Sequence, residues 1–388
     1  PAAGVKFNGN YTSFKNAGFI AKYDLDGNFV EAVSFAPESL PAVNSGGAGA
    51  ILFHINQVAC SDDKIYFAAS YTGSTKVGDL TVEGTYTLLD FGFFSMSVDA
   101  TNSSIFSLDL ETLKTATIEM SAVNKTIGET VAEAGEISFD LDGNKLYASF
   151  FPNGKGTITV KNGSLSRDLD MNTNDEAELY VLTSPSALTK LEKTPANGLN
   201  SHQMISTLIA ERGKIYMVGS AAKEIPSSKV GFGDEITGAT DIFVATFNAS
   251  DLSNVSVVTD AVDEGKTEFT NSDETTEMKP NYEIPVGAVT ANDAIFISKM
   301  TKDFNGGYIS VASRLFNGEQ YSTPVDAYKN EEIPGGMGIA RNNGAGENPS
   351  YNYACIVLPS SSATEFTFNG TSFNQDIIPV SILSLINI

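Results

Sequence analysis

The sequence predicts an all-β protein, a β-propeller of four-stranded blades, on three observations. A hairpin headed by Lys-Ile-Tyr or Lys-Leu-Tyr recurs along the chain, a second hairpin family follows it, and the two chain ends carry matching segments. Recurrence of one small unit marks architectures in which each copy stacks on the next. With 388 residues and 41% hydrophobic side chains the chain can bury a large core. It is read as one domain spanning 1–388.

The first family comprises QVACSDDKIYFAAS at 57–70, EISFDLDGNKLYASF at 136–150 and STLIAERGKIYMVGS at 206–220. GAVTANDAIFISKM at 287–300 is a diverged copy, and 336–358 is a further copy with its turn enlarged. Ile65, Phe67 and Ala69 alternate with Tyr66, Ala68 and Ser70, the period of two of a pleated strand. Ser61-Asp62-Asp63, Asp142-Gly143-Asn144 and Arg212-Gly213 supply the tight turns. The second family occupies 18–35, 104–120, 178–193 and 241–258, with weaker members at 307–325 and 376–388. Each is an apolar strand, a polar turn and a second strand.

Alternating the two families gives an inner and an outer hairpin, hence four strands per unit. Val5-Lys6-Phe7-Asn8-Gly9 near one terminus matches Phe366-Thr367-Phe368-Asn369-Gly370 near the other. The chain therefore enters midway through a repeat, and pairing of its two terminal segments is expected to close the ring and protect its edges. About six blades fit, within five to seven. The polar stretch from Asp263 to Lys279 reads as a solvated, mobile connector.

The formal charge of −23 and a pI near 4.4 exclude nucleic acid as a partner, because phosphate binding demands clustered Lys and Arg. No apolar run reaches the roughly 20 residues of a transmembrane helix. The sequence begins at Pro1-Ala2-Ala3-Gly4 with no signal peptide of its own, which leaves room for a leader or lipid anchor ahead of it. Cys60 and Cys355 are too few for a disulfide framework. They read as buried free thiols, a bridge between first and last blades being the alternative.

In a propeller the first strand of each blade lines the central channel, so the residues before it gather at the channel mouth. Candidate ligand-binding residues there are His54 and Gln57 in one copy, His202 and Gln203 in another, and Glu283 and Glu332 in two Glu-Ile-Pro segments. The only two histidines lie 10 and 12 residues ahead of their Lys-Ile-Tyr, which reads as matching positions. They fit a ligand contact, a metal with Glu283 or Glu332, or a hydrogen bond between blades. No close HxxxH or CxxC spacing favours a metal, and none is assigned. The two Asp-Leu-Asp-Gly-Asn segments at 24–28 and 140–144 lack EF-hand spacing and fall where a hairpin turn is required. They are read as turns, a structural calcium being the less favoured alternative, and no cofactor is expected. Neither a Gly-x-Ser-x-Gly elbow nor a phosphate-binding Gly-rich loop is present, and no catalytic residue is assigned. Tyr66, Tyr147 and Tyr216 recur inside strands and read as packing between blades.

The segments KIYMVGS and KVGFGDEITGATDIFVATFNASD, at 214–220 and 229–251, resemble the degenerate repeats of bacterial secreted propellers, in which an iYvaGs strand precedes a DiFvakld strand. The acidic chain is also similar in style to Bacteroidetes cell-surface lipoproteins that accompany outer-membrane nutrient importers. The resemblance covers most of the chain at the level of the repeat. It implies a secreted or outer-membrane-surface accessory binding protein, with an importer or surface complex as partner and a glycan, peptide or other nutrient as ligand. A propeller glycoside hydrolase or lyase and a structural or adhesion protein are the alternatives.

Overall fold

Alternation of apolar and polar side chains between short turns becomes antiparallel strands throughout the computed structural model, and no helix occurs among the described residues. Two compact units are present, Pro1–Thr194 and Pro195–Ile388. In the first, the structure describes residues 4–7, 10–13, 18–24, 29–35, 37–39, 53–61, 63–71, 74–84, 87–90, 95–98, 102–124, 132–133, 137–143, 145–150, 153–154, 156–170, 178–183 and 187–193. In the second it describes 203–222, 240–260, 265–271, 273–291, 294–303, 308–321, 325–328, 336–341, 352–357, 365–368, 371–374 and 380–384.

The all-β class is as expected, and sheets that join an inner to an outer hairpin recur along the chain. In the first unit, Phe53–Cys60, Lys64–Tyr71, Asn102–Asp109 and Ala116–Asn124 pair consecutively in the first sheet. Ile137–Asp142, Lys145–Phe150, Glu178–Thr183 and Ala187–Lys193 form the second sheet in the same order. In the second unit, the third sheet is Gln203–Glu211, Lys214–Ala222, Thr240–Asn248 and Asn254–Thr259. The fourth is Tyr282–Ala291, Ala294–Lys302, Tyr308–Phe316 and Val325–Tyr328. The fifth has three strands, Gly336–Arg341, Asn352–Val357 and Val380–Ser384. In each of these five sheets the second strand of the inner hairpin pairs with an outer strand, and in the first four that strand begins a hairpin.

The first sheet extends to six strands. Thr157–Asn162 and Leu165–Asp170 form a short hairpin that continues its edge, with Ser121 opposite Lys161. Similar small hairpins occur at Ser74–Val77 with Leu80–Val82, at Gly4–Phe7 with Asn10–Ser13, and at Glu365–Phe368 with Thr371–Asn374. The matching terminal segments are therefore two copies of one hairpin.

The second strand of the inner hairpin is buried on both faces. Ile65, Phe67, Ala69 and Tyr71 join Phe35, Phe53 and Phe106 in a cluster beneath the Gly18–Tyr23 and Phe29–Phe35 hairpin. Ala68 and Tyr66 look the other way, into a cluster with Ile137, Phe139 and Ala148 of the second sheet. Phe67 stacks on Phe35 and Phe106 with ring centroids 5.1 and 5.2 Å away. Such pairs add about 0.5–1.5 kcal/mol each beyond their area burial. Burial pushes the Tyr71 hydroxyl up to about 12, and it pairs with Ser104 Oγ at 2.9 Å. Tyr216 in turn packs between the third and fourth sheets with Ile242, Val244, Ile295 and Ile297. These tyrosines are packing residues, as expected, and Tyr147 is fully buried.

The Lys-Ile-Tyr signature acquires a local cause. Lys64 stands opposite Asp109, and Lys214 opposite Asn248, whose Oδ1 accepts from Lys214 Nζ at 2.8 Å. Asp109 and Asn248 each open the outer turn, where the amides of Leu113 and Leu252 return to their carbonyls. Both leucines are buried with positive φ, 53° and 57°. The amides of Leu110 and Ala249 then bond the carbonyls of Asp63 and Gly213 in the inner turns. Inner and outer hairpins are thereby locked at one edge of the sheet.

Two expectations are corrected. Cys60 is exposed, not buried, at the end of the edge strand Phe53–Cys60, and its thiol is free. The side chain of Cys355 lies outside the described residues. The polar stretch read as a mobile connector instead contains a hairpin, Lys266–Thr270 with Thr276–Pro280. Asp273 caps its turn by accepting from the Thr275 amide and hydroxyl, and Lys279 pairs with Glu277 at 2.9 Å while lying over the Phe269 ring. Around 140–144, Asp142 stands opposite Lys145 and Gly143 has φ 61°, as the turn reading requires. Most of 24–28 lies outside the described residues.

Gly78 (φ 59°) turns the small hairpin onto the outer turn, where the Asp79 amide donates to Lys114 O and Asp79 Oδ1 accepts from the Ala116 amide. A Cβ on Gly78 would stand 2.1 Å from Lys114 O, whereas Gly143 has open space. In urea denaturation, Gly143→Ala is expected to cost about 1–2 kcal/mol, the left-handed penalty alone. Gly78→Ala is expected to cost about 2–5 kcal/mol, since the docked turn must also move.

Candidate functional site

The strand that leads each inner hairpin carries a β-bulge at one repeated position. Register shifts fall between Ile55 and Gln57, between Ile205 and Thr207, and between Pro285 and Gly287. Each second residue stands seven places ahead of the first residue of the next strand, Lys64, Lys214 or Ala294. A bulge adds one residue to one strand, bends it and re-aims the side chains before it. Of the candidates named from the sequence, His54, Gln203 and Glu283 lie ahead of a bulge and Gln57 immediately follows one.

His54 stands opposite Ser70 and is exposed. The extra residue of the bulge is Asn56, whose Nδ2 donates to Ser70 Oγ at 3.1 Å. Ser70 continues to Ser103 at 3.1 Å, so a polar chain runs inward beside the histidine. Asn56 Oδ1 is buried and finds no hydrogen-bond partner among the described residues.

Gln57 serves a different purpose from the one expected. Its Nε2 donates to Phe139 O, and its Oε1 accepts from the Phe139 amide at 3.1 Å. One side-chain amide thus satisfies both backbone groups on the leading strand of the second sheet. The inter-sheet hydrogen bond weighed for the histidines is made by this glutamine.

Glu283 is likewise interior. It and Lys299 are each 1% exposed, and Lys299 Nζ donates to Glu283 Oε1 at 2.8 Å. The Glu283 Oε2 receives the Ile242 amide at 3.4 Å, while Thr240 Oγ1 accepts from the Glu283 amide and donates to its carbonyl. The pair closes one end of the apolar layer between the third and fourth sheets, where Ile242, Val244 and Ile297 meet. Directly across from Glu283, Thr301 is buried, and its hydroxyl has no partner among the described residues.

The shared register also revises the alignment of the histidines. Met204 opposite Ser220 corresponds to His54 opposite Ser70, so His202 is two places out of step. Glu283 opposite Thr301 corresponds to Phe53 opposite Tyr71 and to Gln203 opposite Ala221. His202 and Glu332 lie outside the described residues, as does the side chain of Gln203. Among the described candidates, His54 alone is exposed. His54 and Gln57 share one strand of the first unit, and Glu283 belongs to the second. The bulge had no signature in the sequence, because its extra residue is Asn, Ser or Val. Among the described residues no three His, Cys, Asp or Glu side chains form a metal-binding group, and no helix is long and apolar enough to cross a membrane.

No family model matches the chain, and no curated protein matches it. Among solved structures it is similar to a cobalt-substituted Synechocystis ACO, at 8% identity and a TM-score of 0.37, over 92% of this chain and 65% of that one. It is also similar to a puromycin-hydrolyzing peptidase of Mycobacterium tuberculosis, at 9% identity and a TM-score of 0.33, over 78% of this chain and 43% of that one. The chain thus spans less than two thirds of either relative's length, and likeness at these scores carries no functional argument.

The buried ion pair makes a stability prediction. Removing one partner leaves an uncompensated buried charge, so Lys299→Met is expected to cost about 3–5 kcal/mol in urea denaturation. The double variant Glu283→Gln/Lys299→Met should recover part of that loss, because no charge is then stranded.

Proposed function

We propose that the protein is a β-propeller of about six blades that binds a ligand or partner without transforming it. Five sheets of the inner–outer type and the leading Gly18–Phe35 hairpin support that count. Pairing of the terminal segments would close the ring, and residues 1–388 would then form one domain. The setting is extracellular or the outer-membrane surface, where an accessory lipoprotein would hand a glycan, peptide or other nutrient to an importer. The net charge of −23 suits such a crowded, solvent-facing position.

One observation carries the binding reading. Three leading strands share the same bulge, and bulges are enriched where a strand must aim side chains at a site. The bulge leaves His54 exposed beside Asn56 and turns Gln57 toward the neighbouring sheet. His54 is therefore the first contact residue in this reading. His202, Gln203 and Glu332 are candidates from the other repeats.

The test is titration with glycans, peptides and metal–siderophore complexes while product formation is followed. A ligand is expected to bind unchanged, and His54→Ala should weaken it about tenfold, equivalent to ~1.4 kcal/mol. Product formation that a single carboxylate substitution abolishes would overturn the non-enzymatic reading. Affinity unaltered in His54→Ala would overturn the site.

A further inference from the structure

The opposite end of the inner hairpin, away from the bulge, holds a second feature in the second unit. Glu211 stands opposite Lys214 across a two-residue turn, in which Arg212 has φ 52° and Gly213 has φ 75°. Two consecutive positive φ values suit Asn-Gly or Gly-Gly, and an arginine there is strained in a way glycine is not. The corresponding position of the second sheet is Gly143, with φ 61°.

The turn borders a cleft of about 190 Å³ against the fourth sheet. Glu211, Arg212 and Tyr216 form one side, and Thr290, Phe316 and Asn317 the other. Phe316 is fully buried and Ile295 nearly so, so they back the cleft rigidly, while the half-buried Tyr216 and Ala294 supply its accessible apolar surface. The two charged groups lie 3.7 Å apart, so their charges offset each other and an ionic ligand has no unbalanced partner. With Arg212 64% and Glu211 24% exposed, such a solvent-facing pair contributes little to stability. Around it stand the hydroxyls of Tyr216 and Thr290 and the Asn317 amide, whose Oδ1 already accepts the backbone amides of Glu319 and Gln320. Burial first, and then the Glu211 carboxylate, raise the Tyr216 hydroxyl above its usual range, with Arg212 opposing. That phenol is therefore a donor at neutral pH.

Mixed donors and acceptors with no net charge match ligand hydroxyls, which both donate and accept. The half-buried Tyr216 ring matches the C–H face of a ring. The volume falls below the roughly 300–1,000 Å³ of sites for drug-sized ligands, which limits the occupant to one small ring. We propose that the cleft between the Glu211–Lys214 turn and the fourth sheet binds a single neutral pyranose. The site is separate from the bulged edge, so it stands or falls independently of the reading above.

Saturation-transfer NMR of the intact chain with methyl gluco-, galacto- and mannopyranoside tests it. At least one is expected to receive saturation at its ring protons. Arg212→Gly, which suits the positive φ and should not lower the melting temperature, is expected to reduce affinity at least fivefold. Tyr216→Phe, which deletes one hydroxyl and keeps the packing, should also weaken binding while the melting temperature stays close to wild type. Should Arg212→Gly unfold the chain, Tyr216→Phe decides alone. The proposal is overturned by no transfer to any of the three at millimolar concentration, by transfer undiminished in the folded variants, or by displacement of the sugar by free glycine.

Discussion

Burial of one strand on both of its faces is the constraint on which the rest of each unit depends. Lys64–Tyr71 has apolar side chains at odd and even positions alike, and a single sheet can cover only one of its faces. Neighbouring sheets must therefore lie against it on both sides, which makes stacking obligatory. The Phe35–Phe67–Phe106 stack fills one side, and Ala68 with Phe139 and Ala148 fills the other. The same logic runs between the third and fourth sheets through Val218, Val244 and Ile297. Alignment of the stacked sheets then falls to polar groups at the strand ends.

Those polar groups are of two kinds, and each has its own edge of the sheet. At the turn edge, backbone bonds repeated in the first and third sheets join inner to outer hairpins, and a left-handed leucine plugs each junction. At the leading edge the solutions differ: a glutamine amide spans two sheets in one place, and in another Glu283, paired with Lys299 of its own sheet, reaches Ile242 and Thr240 of the next. Repeats that must fold alike use the same backbone contacts, whereas the leading edge varies from copy to copy. The bulge is the same in three copies while the polar contacts around it change.

Much of the fold was legible because it rests on short-range chemistry. The Lys-Ile-Tyr strands, their Asp-Gly-Asn or Arg-Gly turns and the outer hairpins all announce themselves by period and by turn residues. Even the diverged copy at 336–358 forms its hairpin, with Gly338 opposite Cys355. What escaped notice depends on tertiary context. The bulge shifts register without a marker residue, so counting back from Lys-Ile-Tyr set His202 beside His54 when Met204 belongs there. Gln57 and Glu283 have the composition of ligand contacts, yet their polar atoms face neighbouring sheets, and only the packing reveals it. The acidic stretch before Asn281 reads as solvent-exposed chain, but cross-strand pairs and an Asp-capped turn order it.

Hydrogen exchange across the chain, followed by mass spectrometry, tests the stacking directly. The account predicts that the second inner strands, Lys64–Tyr71, Lys145–Phe150, Lys214–Ala222 and Ala294–Lys302, exchange slowly, because each is paired on both sides within its sheet. The leading strand Phe53–Cys60, an edge strand with alternate amides unpaired, should exchange faster than its neighbour Lys64–Tyr71. Equal exchange in those two strands, or fast exchange in any of the four inner ones, would contradict it.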